Sequence, residues 1–210
     1  MHVEIWSDLI CPFCYIGKRR LDQALESLSD KTALQITWRS FQLAPDLQTN
    51  TDLSIHQYLA QAKGMTEAAA REANQRVSEM AALDGLDYQL DQAIVANTLQ
   101  AHALSHAARE VNRQHEAEEL LFRAYFTEGK NLDEMSTLIA IGESLGLDPL
   151  SVQTALESGK YLPQVIQEIN EAEQLRIRAV PFFVFDRKYA ISGAQSVEVF
   201  RQALQQMKQL

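Results

Sequence analysis

The chain has 210 residues, of which 46% are hydrophobic and 22% charged, and its net charge is -9. That composition suits one soluble domain, or one domain carrying a large insertion, and excludes a disordered or fibrous chain. The acidic balance argues against nucleic acid or an anionic membrane as partner, and no stretch approaches the ~18 apolar residues of a bilayer span.

His2-Val3-Glu4-Ile5-Trp6 alternates in polarity and predicts a short strand. It starts directly after Met1, with no basic region followed by an apolar run, so no secretory leader is recognised and a cytoplasmic protein is expected. The chain's two cysteines follow in Cys11-Pro12-Phe13-Cys14. Beyond them the sequence predicts a helix with Leu21, Leu25 and Leu28 on one face. Cys11 then falls at or next to the N-cap, and Pro12 at the first helical position, where its missing N–H is no loss.

A helix start presents unpaired N–H groups and the positive end of the macrodipole. A thiolate there is stabilised, so Cys11 is expected below the free-thiol pKa of about 8.5. The spacing puts Cys14 one turn on, within disulfide reach. Cys11 reads as the exposed attacking thiol and Cys14 as the buried resolving one. A C-x-x-C beside a strand–helix pattern reads as a thioredoxin-like redox pair. The bland alternatives are half of a zinc site or two unrelated thiols. Zinc usually wants four ligands, and no second cysteine pair exists.

Alternation from Leu34 to Trp38 predicts a second strand over 33–41, and 42–51 reads as a linker. From about Leu53 to Ala172 the chain is rich in Ala, Leu, Glu and Gln with helical periodicity. Helices are expected at 54–63, 66–83, 93–113, 115–128, 134–145, 149–157 and 161–176. Phe182 to Phe185 and Tyr189 to Ser192 predict a hairpin around the polar turn Asp186-Arg187-Lys188. Ser196 caps a last amphipathic helix whose Val199, Phe200, Leu204 and Met207 face inward. Two strands alone cannot bury a core, so both ends should meet in one four-stranded α/β unit with the helices inserted between them. The expected division is 1–44 plus 175–210, with an all-helical insertion over 45–174.

This layout resembles the DsbA-like branch of the thioredoxin superfamily, and most closely its FrnE-type cytoplasmic members. Ser7-Asp8-Leu9-Ile10-Cys11-Pro12-Phe13-Cys14-Tyr15-Ile16-Gly17 carries the likeness, with Trp38-Arg39-Ser40-Phe41-Gln42-Leu43-Ala44-Pro45. Asn97-Thr98, Ala101-His102, 124–129, Val180-Pro181 with the strand after it, and 191–195 extend it over nearly the whole chain. The resemblance implies a thioredoxin-like α/β fold with a large helical insertion, and thiol–disulfide oxidoreductase activity through Cys11 and Cys14. It also implies a cis bond at Val180-Pro181 packed against the dithiol, with the backbone there pairing to substrate. On its own, Pro181 could equally begin an edge strand. Asn97 and His102 are implied to face the substrate groove. No tightly bound cofactor is expected; a thiol- or disulfide-containing protein or glutathione is the expected partner, and the oligomeric state is left open. A sister branch, the 2-hydroxychromene-2-carboxylate isomerases with the kappa-class glutathione transferases, shares the fold and typically has serine where this chain has Cys11. Dithiol exchange is therefore favoured over a glutathione-dependent isomerase or transferase, and over a non-enzymatic chaperone or binding module.

Other features read more simply. Asp8 could relay a proton to the buried thiol, although such a residue is more often a solvated loop acid. Lys18, Arg19 and Arg20 lie past the first helical turn and read as a solvated face. His102, His106 and Glu110 share a helical stripe, yet no fourth ligand accompanies them and no metal is expected. Trp38, Phe41 and the Phe182 to Phe185 run read as core. Phe13, at the exposed helix start, and Pro12 are placed to meet substrate.

Overall fold

The computed structural model describes residues 1–27 and 34–207. Leu28, Ala33 and the last three residues lie outside them. The sheet is built from strands β1 (His2–Ser7), β2 (Gln35–Ser40), β5 (Phe182–Phe185) and β6 (Tyr189–Ser192), in the order β2-β1-β5-β6. The N-terminal strand β1 is central, so its Val3, Ile5 and Trp6 are fully buried. It runs parallel to β2, from His2 opposite Gln35 to Ser7 opposite Ser40. It runs antiparallel to β5, from Val3 opposite Phe185 to Trp6 opposite Phe182. The β5–β6 hairpin closes as expected on Asp186 and Arg187. Both have positive φ, and Lys188 N–H donates to Phe185 O at 2.9 Å, which matches the twist of the flanking strands. Helix α1 (Pro12–Glu26) buries Leu21 and Leu25 as predicted, and packs beside the closing helix α9 (Val197–Met207).

Between β2 and β5 lies the helical insertion: α2 (Ile55–Lys63), α3 (Glu67–Leu83), α4 (Leu99–Glu110), α5 (Gln114–Phe126), α6 (Met135–Ser144), α7 (Pro149–Glu157) and α8 (Leu162–Gln174). One piece of it is not helical. The insertion also carries a small ribbon of β3 (Asn50–Ser54) and β4 (Ile94–Val95), in stretches expected as linker and helix. The helix expected over 93–113 starts only at Leu99. The Asn97 side chain accepts from Leu99 N–H at 2.8 Å and ends the extended segment before it. Two β-branched residues, Ile94 and Val95, suit the ribbon better than a helix. Among the described residues no helix is long and apolar enough to cross a membrane.

A buried ionic network fastens the insertion to the sheet. Glu168 on α8 is 3% exposed. It accepts from Ser40 N–H (2.8 Å) and from Arg39 and Arg109 (3.0 Å each), and lies 3.0 Å from the His106 ring. Burial alone would raise its pKa, but these four partners outweigh burial and hold the carboxyl well below the usual range. Glu4 on β1 is likewise buried and accepts from Arg39 at 3.0 Å and Arg187 at 2.7 Å. Removing either buried carboxylate leaves its arginines short of a partner.

Candidate functional site

Cys11 is the N-cap residue of α1, in extended conformation, with Pro12 at the first helical position. Its N–H donates to Asp8 O and its carbonyl accepts from Cys14 N–H, both at 3.0 Å, so the turn into the helix is closed by backbone bonds alone. Cys14 is fully buried, and both cysteines are free thiols. Burial, then the neighbouring Cys11 sulfur, push the Cys14 thiol well above its ordinary pKa. It therefore keeps its proton until a reaction at Cys11 calls for it.

The Val180–Pro181 peptide bond is cis. It brings Val180 O to 3.6 Å from Cys11 Sγ, within reach of a weak S–H contact. Pro181 O accepts from Gly193 N–H at 2.8 Å, which ties this loop to the end of β6. On the other side Pro181 rests against α1 at Gly17. A Cβ there would meet Pro181 Cγ at 2.9 Å and Phe183 Cζ at 3.1 Å. Overpacking of that kind costs ~1–3 kcal/mol, and the better helix propensity of alanine returns about 1 kcal/mol. Gly17→Ala is thus expected to lose about 1 kcal/mol by thermal unfolding and to lower turnover by displacing Pro181. Unchanged melting and turnover would show that this contact does not position the loop.

Cys11 is only 4% exposed, which corrects the expectation of an open thiol. Access runs through a cavity of about 700 Å³ that Cys11 lines with Pro12, Phe13 and Val180. The helices α2 and α3 of the insertion form its far wall. Phe13 is 40% exposed at the rim, in line with the exposed position expected for it at the helix start. Tyr88, invisible as a site residue in the sequence, packs on Phe126 with ring centroids 4.5 Å apart and donates from its hydroxyl to Pro12 O at 2.6 Å. It joins the insertion to the dithiol turn across 76 positions of sequence, so no local pattern could reveal it.

Asn97 and His102 do not line this cavity. Asn97 holds the 42–50 segment instead: its amide donates to Leu47 O at 2.9 Å and its oxygen accepts from Gln42. His102 is buried behind the dithiol turn, with Nε2 3.0 Å from Phe41 O and 3.6 Å from Asp8 Oδ1. The second distance is too long for a hydrogen bond and short enough for charge attraction. Burial disfavours the imidazolium, and Asp8, helped by Glu118 and Glu168, outweighs that and raises the His102 pKa. Asp8 is no solvated loop acid. It is fully buried, and its Oδ2 accepts from Leu43 N–H at 2.7 Å, so one carboxylate links the cysteine turn to the loop that follows β2.

Lys18, Arg19 and Arg20 are not a solvated face either. Lys18 is 2% exposed and sits 2.7 Å from Glu119 and 2.8 Å from Asp22. Arg19 pairs with Glu119 and Arg20 with Asp84, each at 2.8 Å. These charges fasten α1 to the insertion. The remaining stripe residues have separate partners, His106 on Glu168 and Glu110 on Lys160 and Tyr161. Among the described residues no group of three His, Cys, Asp or Glu side chains is placed to hold a metal ion. Trp38 is core, 2% exposed, and Phe41 is half-buried against the hydrophobic core.

The chain is similar to several known proteins. A Bacillus subtilis protein, YwbO, is 30% identical over 210 residues, covering 97% of this chain and 96% of its own length. The crystal structure of a probable DsbA oxidoreductase from Streptomyces coelicolor superposes with a TM-score of 0.91 at 33% identity, over 100% of this chain and 90% of that one. The cytosolic disulfide reductase DsbM of Pseudomonas aeruginosa, solved with GSH, shares the fold at a TM-score of 0.71 and 15% identity, over 100% of both chains. The model of the DSBA-like thioredoxin domain matches residues 2–205. From its first strand to its last helix, this chain belongs to the DsbA-like thioredoxin family.

Proposed function

We propose that this protein is a thiol–disulfide oxidoreductase working through Cys11 and Cys14. The observation that carries the reading is the asymmetry of the pair. Cys11 stands at a helix start, on a cavity and beside Val180 O, while Cys14 lies fully buried behind it. Towards a substrate disulfide, the Cys11 thiolate attacks one sulfur, forms a mixed disulfide and releases the other as a thiolate. Cys14 then gives up its proton and attacks Cys11 Sγ, which frees the second substrate thiol and leaves the Cys11–Cys14 disulfide. Two electrons pass from the dithiol to the substrate; the reverse sequence oxidises a substrate dithiol. A protein disulfide or glutathione serves as the exchange partner, and the solved complex of DsbM with GSH supports a thiol of the latter kind.

The test is insulin reduction by dithiothreitol with and without the protein. Acceleration that disappears in a variant with both cysteines replaced by serine supports the proposal. No acceleration, together with glutathione-dependent isomerase turnover on a small aromatic substrate, would replace it with the isomerase reading. Full activity of the doubly substituted variant would point to a binding module.

A further inference from the structure

The cavity beside Cys11 has a chemistry of its own. Its walls are apolar, with Ile55, Leu59, Val77 and Phe126 among them, and Phe13 and Met65 stand half-open at its edge. No aspartate or glutamate lines it, although the chain holds 28 acidic residues against 19 basic ones. Its charged lining residues are Lys63, at the end of α2, and Arg178, two residues before Val180. Nearly every other described lysine or arginine has a carboxylate within 4.0 Å: Lys18, Arg19, Arg20, Arg39, Arg109 and Arg187 are examples. Among the described residues Lys63 and Arg178 make no such pair, and both are exposed.

From these observations we infer that the site takes a low-molecular-weight disulfide or thiol with an apolar body and an anionic end group. The volume of about 700 Å³ lies within the range of small-molecule pockets, ~300–1,000 Å³. An apolar body buries itself against α2 and α3, and the anion meets two cations that no protein carboxylate neutralises. The substrate sulfur is thereby presented to Cys11 at the same cavity wall. Two exposed cations contribute modestly, together about 1.4 kcal/mol or roughly tenfold in rate. This inference rests on the redox reading of Cys11 above.

The experiment follows oxidation of the reduced protein by four disulfides: dithiobis(nitrobenzoate), aromatic and anionic; dithiodipyridine, aromatic and neutral; dithiodipropionate, short and anionic; and hydroxyethyl disulfide, small and neutral. Each rate is divided by the rate of the same disulfide with mercaptoethanol, which removes its intrinsic reactivity. With dithiobis(nitrobenzoate), Cys11 attacks and releases one aryl thiolate. Cys14 then releases the second and closes the protein disulfide. The normalised rate is expected to be highest for this reagent. Replacing both Lys63 and Arg178 by alanine should lower it about tenfold and change the two neutral reagents less than about twofold. About 1 M salt should have a similar effect, since the screening length shrinks to ~3 Å. Equal normalised rates for all four reagents, or a double variant indistinguishable from the parent, overturns the inference and leaves the redox reading standing. If none of the four oxidises the Cys11–Cys14 pair, the redox reading itself fails.

Discussion

Cys11→Ser is expected to abolish disulfide exchange, while Cys14→Ser is expected to keep the attack and lose the release. A serine hydroxyl is not ionised at neutral pH and cannot replace a thiolate, so the first variant should fall by at least ~10³-fold in insulin reduction. In the second, Cys11 still stands at the helix start on the cavity wall. The mixed disulfide forms and then waits, because the buried thiol that resolves it is gone. Mass spectrometry of Cys14→Ser after exposure to a disulfide should show one adduct on Cys11. An adduct on Cys14 in the Cys11→Ser variant, and none in the converse, would reverse the two roles. The burial of Cys14, which with its neighbour raises its pKa, and the opening of Cys11 on the cavity are the basis for separating attack from resolution.

The largest effect on stability is expected at Glu168. Substitution by glutamine keeps the shape and removes the charge that Arg39 and Arg109 share. Among the described residues Arg109 is then left without a carboxylate and Arg39 with Glu4 alone, which costs about 3 kcal/mol at neutral pH, read from urea unfolding of the two proteins. The pH dependence has a defined sign. The folded-state pKa of Glu168 is depressed, so its contribution is fully present above the unfolded value of about 4.3 and is lost as pH falls through the lower folded value. The gap between parent and Glu168→Gln should therefore be widest near pH 7 and narrow steadily below about pH 4. A gap below about 1 kcal/mol at pH 7 would show that the network contributes no more than an exposed pair. A gap that stays constant down to low pH would mean that the lost charge is not its source.

The dithiol turn was legible because its chemistry is local. Proline at the first helical position, a cysteine at the N-cap and a second cysteine one turn later act over a few residues, and each stands where the pattern put it. The hairpin from Phe182 to Ser192 was legible for the same reason: alternating strands, and a polar turn able to adopt positive φ. Asp8, His102 and Lys18 were misplaced because burial of a charge is not a local property. Lys18 lies on α1, and only its contact with Glu119, 101 positions away, turns an apparent surface lysine into a buried ion pair.

By itself, then, the sequence determined the placement of the cysteine pair at a helix start, the elements on either side of it and the α/β family to which the chain belongs. The tertiary structure alone decided that a cavity lies beside Cys11, that α2 and α3 form its far wall, and that the two cations lining it, Lys63 and Arg178, have no carboxylate partner among the described residues. The physical reason is range. Backbone preferences and periodicity are settled within one or two turns of chain, whereas cavities and charge pairing depend on surfaces that meet only after folding. Arg39 and Glu168, 129 positions apart, show that distance most plainly.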